Sequence, residues 1–137
     1  MIVVDASVVL KWFAPEQDHE IALFLKERHV LGKERLAGPE LLLYEVANVL
    51  QNKRGDLRSS VEAFSAFCSV GLEIHSLEPS DLTEAMRLSH AYGISTYDAS
   101  YLALAQARRC RLVTADERFL ARLRGAPHVL SLKDIVR

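Results

Sequence analysis

Cysteine is scarce: of 137 residues only Cys68 and Cys110 carry a thiol. Their spacing fits no metal motif, and two thiols make no disulfide framework, so a reducing compartment is expected. Neither sign of charge dominates. Lys and Arg number 17 against 18 Asp and Glu, for a net charge of −1, and the isoelectric point is about 6.5. Binding of nucleic acid through overall basicity is thereby excluded, and any such activity has to rest on local patches. No apolar run reaches membrane-spanning length. The opening MIVVDASVVLKWF is apolar, yet it carries Asp5 and lacks a basic leader, so it does not read as a secretory signal. Repeats, low-complexity tracts and linkers are also missing. What is present is a globular composition, 50% hydrophobic and 26% charged. The expectation is a cytoplasmic protein without membrane contact, folded as a single domain over residues 1–137.

The order of elements follows from apolar spacing and helix punctuation. Ile2-Val3-Val4 is a β-branched run and reads as a buried strand. A short helix over Ser7 to Phe13 stops near Pro15, and an amphipathic helix over Gln17 to Val30 ends at Gly32. Arg35-Leu36-Ala37 reads as a second strand closed by Gly38, with Pro39 opening a helix over Glu40 to Asn52. Lys53, Arg54 and Gly55 end that helix. Further helices are expected over Leu57 to Val70, Pro79 to Tyr92, Ala99 to Arg109 and Glu117 to Arg124. Strands are expected over Leu72 to His75, Arg111 to Thr114 and His128 to Leu130. Alternating strands and helices argue for an α/β fold around a parallel sheet covered on both faces.

Four acids stand out against this pattern. Asp5 ends the first strand, and Asp116 closely follows the strand Arg111 to Thr114. Asp98 opens the almost wholly apolar helix Ala99 to Arg109. Glu45 is alone among Leu41, Leu42, Val46 and Val49, with Asn48 one turn further on the same face. Ligands of open α/β sheets bind beyond the carboxyl ends of strands, where Asp5 and Asp116 lie. Four acids converging there would repel one another, and a divalent cation would relieve that repulsion. A set of oxygen ligands without histidine or cysteine suits Mg²⁺, or Mn²⁺, rather than zinc. An ion held this way usually works on phosphates, by activating water and stabilising the leaving oxygen.

Each acid also has a plainer reading. Ser95-Thr96-Tyr97-Asp98 fits a capping box, and Asp5 and Asp116 can each cap the helix that follows. Glu45 fits this reading least. Ser7 and Thr114 read either as caps or, with Asn48, as partners that orient carboxylates. His19, His29, His75, His90 and His128 are scattered and read as ordinary surface or edge residues. Arg108, Arg109 and Arg111, with Arg118, Arg122 and Arg124, either complement helix ends or line a path for phosphates.

Four segments carry a resemblance: VVDASVVLKWF around Asp5, PELLLYEVANVL around Glu45, YDASYLALA around Asp98 and LVTADERF around Asp116. Together and in this order they resemble the PIN-domain nucleases, and more narrowly the VapC-like toxins of toxin–antitoxin pairs. The resemblance implies a Rossmann-like three-layer α/β/α sandwich with a mainly parallel central sheet. It implies Mg²⁺-dependent cleavage of RNA, a homodimer, and a cognate antitoxin that occludes the acidic site. Asp5, Glu45, Asp98 and Asp116 match the family's acidic quartet, as catalytic and metal-holding residues, and Thr114 matches its polar position before the last acid. The rival readings are a non-catalytic interaction module and a phosphohydrolase of small phosphoesters. Ser7 argues against the latter, because comparable phosphotransferases want a second Asp at that position. Tyr44, Phe64 and Phe67 on the helices 40–52 and 57–70 exceed what one small sheet requires, and are expected to support the dimer and an antitoxin groove.

Overall fold

The structure is a computed structural model that describes residues 1–53 and 55–135. Five strands form one sheet: β1 (Ile2–Val4), β2 (Leu36–Pro39), β3 (Glu73–His75), β4 (Arg111–Thr114) and β5 (Val129–Ser131). All pairings are parallel, and the spatial order is β3-β2-β1-β4-β5. The central strand β1 is buried along its length, which is why it is a bare Ile-Val-Val run rather than an alternating one. Val3 pairs with Ala37 on one side and with Leu112 on the other.

Among the described residues there are seven α-helices: α1 (Ala6–Leu10), α2 (His19–Val30), α3 (Leu41–Lys53), α4 (Leu57–Val70), α5 (Pro79–Tyr92), α6 (Thr96–Ala107) and α7 (Glu117–Arg122). A 3₁₀ turn over Leu132–Asp134 follows β5. The chain moves outward from β1 to β2 to β3, then crosses back over the sheet to β4. Right-handed crossovers running in opposite directions put their helices on opposite faces, which makes three layers. α2 packs near β2, while α6 lies across β1, β2 and β4 with α5 against it. Held between sheet and helix, α6 keeps no solvated stripe, and every residue from Ala99 to Ala105 is buried.

The expected strands and helices are present with shifted ends: α1 stops at Leu10 rather than Phe13, α2 starts at His19 rather than Gln17, α6 begins at Thr96 ahead of Ala99 and stops at Ala107, and the last strand is Val129–Ser131. Two further differences concern Pro39 and the last helix. Pro39 does not open a helix. It is the last residue of β2, where it sits opposite His75, and α3 starts at Leu41. The strand continues to this point because the Glu40 amide reaches the His75 carbonyl at 3.1 Å, so the ladder resumes just after the residue that has no N–H. The last helix ends at Arg122 rather than Arg124, where the Leu123 amide closes onto Phe119 and Leu120. Arg54, expected in the stop after α3, lies outside the described residues, as do 136 and 137 of the expected single domain.

Gly38 is required by close packing. A Cβ at this position would stand 2.7 Å from Leu42 Cδ2, and Leu42 is itself fully buried. The missing side chain lets α3 start directly above the end of β2, and this carries Glu45 toward the carboxyl edge of the sheet.

Candidate active site

The strand order changes direction between β1 and β4, so the loops after these two strands part and leave a crevice. Asp5 follows β1, and Asp116 comes two residues after β4. Asp5 is 7% exposed and is the N-cap of α1: its Oδ1 accepts from the Ser7 amide at 3.1 Å and from Ser7 Oγ. Its Oδ2 accepts from Thr114 Oγ1 across the β1–β4 pair. The two hydroxyls are in contact with each other at 3.2 Å. Each also takes a donor from the turn after β4, Ser7 Oγ from the Ala115 amide at 2.9 Å and Thr114 Oγ1 from the Asp116 amide at 3.1 Å. Ser7 and Thr114 therefore tie the loop carrying Asp116 to the one carrying Asp5.

Asp116 is the N-cap of α7. Its Oδ1 accepts from the Arg118 amide at 2.9 Å and the Phe119 amide at 3.1 Å. Its Oδ2 has no hydrogen bond among the described residues. Asp98 lies in the first turn of α6, where Ser95 is the cap and its Oγ accepts from the Asp98 amide at 3.0 Å. Only this half of a capping box forms. Glu45 is half-buried on α3, and its Oε1 accepts from Tyr101 Oη at 2.7 Å.

Electrostatics couple the four acids in pairs. Burial pushes the Asp5 carboxyl up to about 6, against the hydrogen bonds from Ser7, Thr114 and Val8, and the charge of Asp116 adds to the rise. Burial also raises Asp98, again with the charge of Asp116 behind it. Glu45 is raised by burial and by the charge of Asp98, against the Tyr101 hydrogen bond. Each of these three thus feels another member of the set. Among the described residues, none of the four has an ion-pair partner.

These donors fit a hard divalent ion. They are carboxylates without an ion pair among the described residues, where Glu45 Oε2 and Asp116 Oδ2 are also free of hydrogen bonds. Among the described residues no three His, Cys, Asp or Glu side chains are already drawn close enough to grip an ion.

Other candidates fall elsewhere. Asn48 is exposed and bonds none of the acids. Arg111 starts β4, at the edge of the sheet opposite to Thr114, and Arg108 reaches His75 Nδ1 at 3.2 Å. Arg118 and Arg122 lie nearer the acids, one turn apart on α7, and Arg122 Nη1 lies against Gly93, just before α6. His29 is no idle surface residue: it accepts from the Leu36 amide at 3.0 Å and stands 3.1 Å from the Gly71 carbonyl. The sequence reading passed over Tyr101, although a buried hydroxyl three residues after Asp98 calls for a partner.

Comparison with known proteins bears on the family and the fold. A family model described as the PIN domain matches residues 2–125. Ribonuclease VapC3 of Pyrobaculum aerophilum is 35% identical over 122 residues, covering 84% of this chain and 88% of that protein. Exonuclease VapC9 of the same organism is 32% identical over 107 residues, 77% of this chain and 80% of that protein. Among solved structures, a toxin–antitoxin complex from Klebsiella pneumoniae superposes with a TM-score of 0.70 at 18% identity, covering 98% of this chain and 100% of that one. The family match spans both acid-bearing strands and the helices between them, and the chain belongs to the PIN-domain family.

Proposed function

We propose that this protein is a Mg²⁺-dependent endoribonuclease, the toxin of a toxin–antitoxin pair, that hydrolyses RNA phosphodiester bonds. The observation that carries the reading is the placement of Asp5, Glu45, Asp98 and Asp116 around the β1–β4 crevice, each of the first three raised in part by the charge of another acid, with no ion pair to any of the four among the described residues. The names of the two Pyrobaculum relatives, a ribonuclease and an exonuclease, support nuclease chemistry. Mg²⁺ or Mn²⁺ would supply Lewis acidity there, lowering the pKa of attacking water and neutralising phosphate charge.

The chain's own residues account for the rest. Ser7 and Thr114 lock the Asp5 carboxylate, so it does not rotate away from the crevice. Asp116 Oδ1 is spent on α7, which leaves Oδ2 for the site. Asp98 and Glu45 supply oxygens from the far wall. No serine or cysteine nucleophile is needed, because water attacks the phosphorus. Arg118 and Arg122 have no ion pair among the described residues, and they suit the flanking phosphates of an RNA strand.

Two apolar surfaces suit the partners of such a toxin. Tyr44, Leu82 and Tyr97 border a cavity of about 320 Å³ where α3, α5 and α6 meet, and we assign this face to a second copy of the chain. Leu10, Phe13, Val49 and Leu50 line another of about 360 Å³ between α1, α3 and α4, with exposed Leu57 and Val61 further along α4. An antitoxin helix would lie there. Phe67 and Phe64 contribute to neither surface: Phe67 is buried, and Phe64 packs on it with ring centroids 5.8 Å apart.

The test is digestion of a circular RNA with EDTA and with Mg²⁺. Linear product in Mg²⁺ alone supports the reading, since a closed circle offers no end to an exonuclease. An intact circle beside a degraded linear control makes the enzyme an exonuclease. If neither RNA is cut, the capping bonds of Asp5 and Asp116 favour the rival reading of a non-catalytic interaction module.

A further inference from the structure

We infer that Tyr101 is a positioning residue of the acidic site: its buried hydroxyl holds the Glu45 carboxylate where a divalent cation can meet it. The inference rests on the metal-dependent reading above and adds to it a residue outside the acidic quartet. Tyr101 is 1% exposed, inside a helix that is buried along seven consecutive residues. A phenylalanine would fill the same space, so core packing gives no reason for the hydroxyl. A buried hydroxyl needs a partner, and among the described residues this one has a single hydrogen bond, to Glu45 Oε1 at 2.7 Å.

The bond links residues 56 apart in sequence, on α3 and α6, and α6 also carries Asp98 three residues earlier. One oxygen of Glu45 is thereby fixed, while Oε2 is left without a hydrogen bond among the described residues. A half-buried glutamate has three rotatable side-chain bonds, and the charge of Asp98 pushes it outward. A neutral donor opposes that motion without cancelling the negative charge that attracts a cation, as an arginine in its place would. Tyr101 therefore fixes the geometry of the acids and leaves their charge intact.

The test is Mn²⁺ binding by calorimetry on wild type, Tyr101→Phe, Glu45→Gln and the double variant, with circular dichroism to confirm the fold of each. Loss of an outer hydrogen bond to a metal-holding carboxylate typically weakens metal binding by about tenfold or more. Tyr101→Phe is expected to raise the dissociation constant by about that factor, and to add no loss in the Glu45→Gln background. RNA cleavage by Tyr101→Phe should recover when Mn²⁺ is raised about tenfold, with KM for RNA unchanged. If wild type binds Mn²⁺ and Tyr101→Phe binds it equally well, this inference is overturned and the metal reading stands. Equal weakening by Tyr101→Phe in both backgrounds also overturns it, because the effect then does not pass through Glu45. If wild type itself binds no Mn²⁺, the metal reading falls and this inference falls with it.

Discussion

Asp5 divides its duties between two oxygens: Oδ1 caps α1 and Oδ2 receives Thr114. Asp116 likewise spends Oδ1 on α7 and leaves Oδ2 unbonded. Capping and ion holding, which are rivals when only residue types are known, are therefore compatible in one carboxylate, since a cap at Asp116 uses only one of its oxygens. Substitutions can separate the two duties. Asp116→Asn keeps a good cap and should leave metal-free stability nearly unchanged, while reducing the rise in melting temperature on adding Mg²⁺. Asp116→Ala should in addition lose about 1 kcal/mol of stability. Melts of both variants with EDTA and with Mg²⁺ check this, and an unaltered Mg²⁺ response in both would remove Asp116 from the site. Asp5 makes a pH prediction. Its folded pKa, about 6, is above its ordinary 3.8, so the folded state holds the proton more tightly. Its charged form thus costs about 3 kcal/mol above pH 6, and that cost fades as pH falls toward 4. Glu34, Asp56, Glu73 and Glu84 are held low by their partners, and their stabilisation is lost only at more acid pH. In EDTA the wild type should therefore melt higher at pH 5 than at pH 7, and Asp5→Asn should flatten the profile. A wild-type profile already flat over that range would contradict the buried charge. Glu45 was legible in the sequence because Leu41, Leu42 and Val49 surround it on the helix. Tyr101 was not, because its partner is 56 positions away.

At the scale of elements, the junction of β2 and α3 decides where Glu45 stands. Pro39 ends the strand, Gly38 admits Leu42 beneath the helix, and α3 rises at once from the sheet edge. Gly38→Ala would place a methyl 2.7 Å from the side chain of a fully buried leucine. Overpacking of this kind costs about 1–3 kcal/mol, to be measured by urea unfolding. The same shift should weaken Mg²⁺ binding, since α3 carries Glu45 with it. Strand identity was readable here from apolar runs, but the boundary was not. Proline serves equally at the first turn of a helix and at the end of a strand, and only the pairing with His75 decides between them. Phe67 makes the complementary case. An aromatic on an amphipathic helix reads as surplus until Trp12 is found beside it, with ring centroids 6.4 Å apart.

Across the whole molecule, apolar surface and acidic crevice lie close together. Tyr44 is 74% exposed and Tyr97 is 70% exposed, each next in sequence to a site acid, Glu45 and Asp98. A second copy covering both would bring two crevices near each other. Tyr44→Asp with Leu82→Asp should abolish the proposed dimer in light scattering while leaving Mn²⁺ affinity unchanged, and a wild type already monomeric at high concentration would refute the assignment. The α/β architecture was legible from the alternation of elements, but which exposed face meets a partner was not, because hydrophobicity alone does not distinguish an interface from a core. The strand order has one more consequence, and it concerns time. Thr114 and Asp116 are synthesised more than a hundred residues after their companion Asp5, and β1 pairs with β4 only once both exist. A ribosome that has passed Glu45 and Asp98 but not Arg111 has produced three of the four acids and none of the crevice. The acidic crevice cannot form before β4 has been made, so a chain halted short of Arg111 holds three of the acids as separate, unassembled groups.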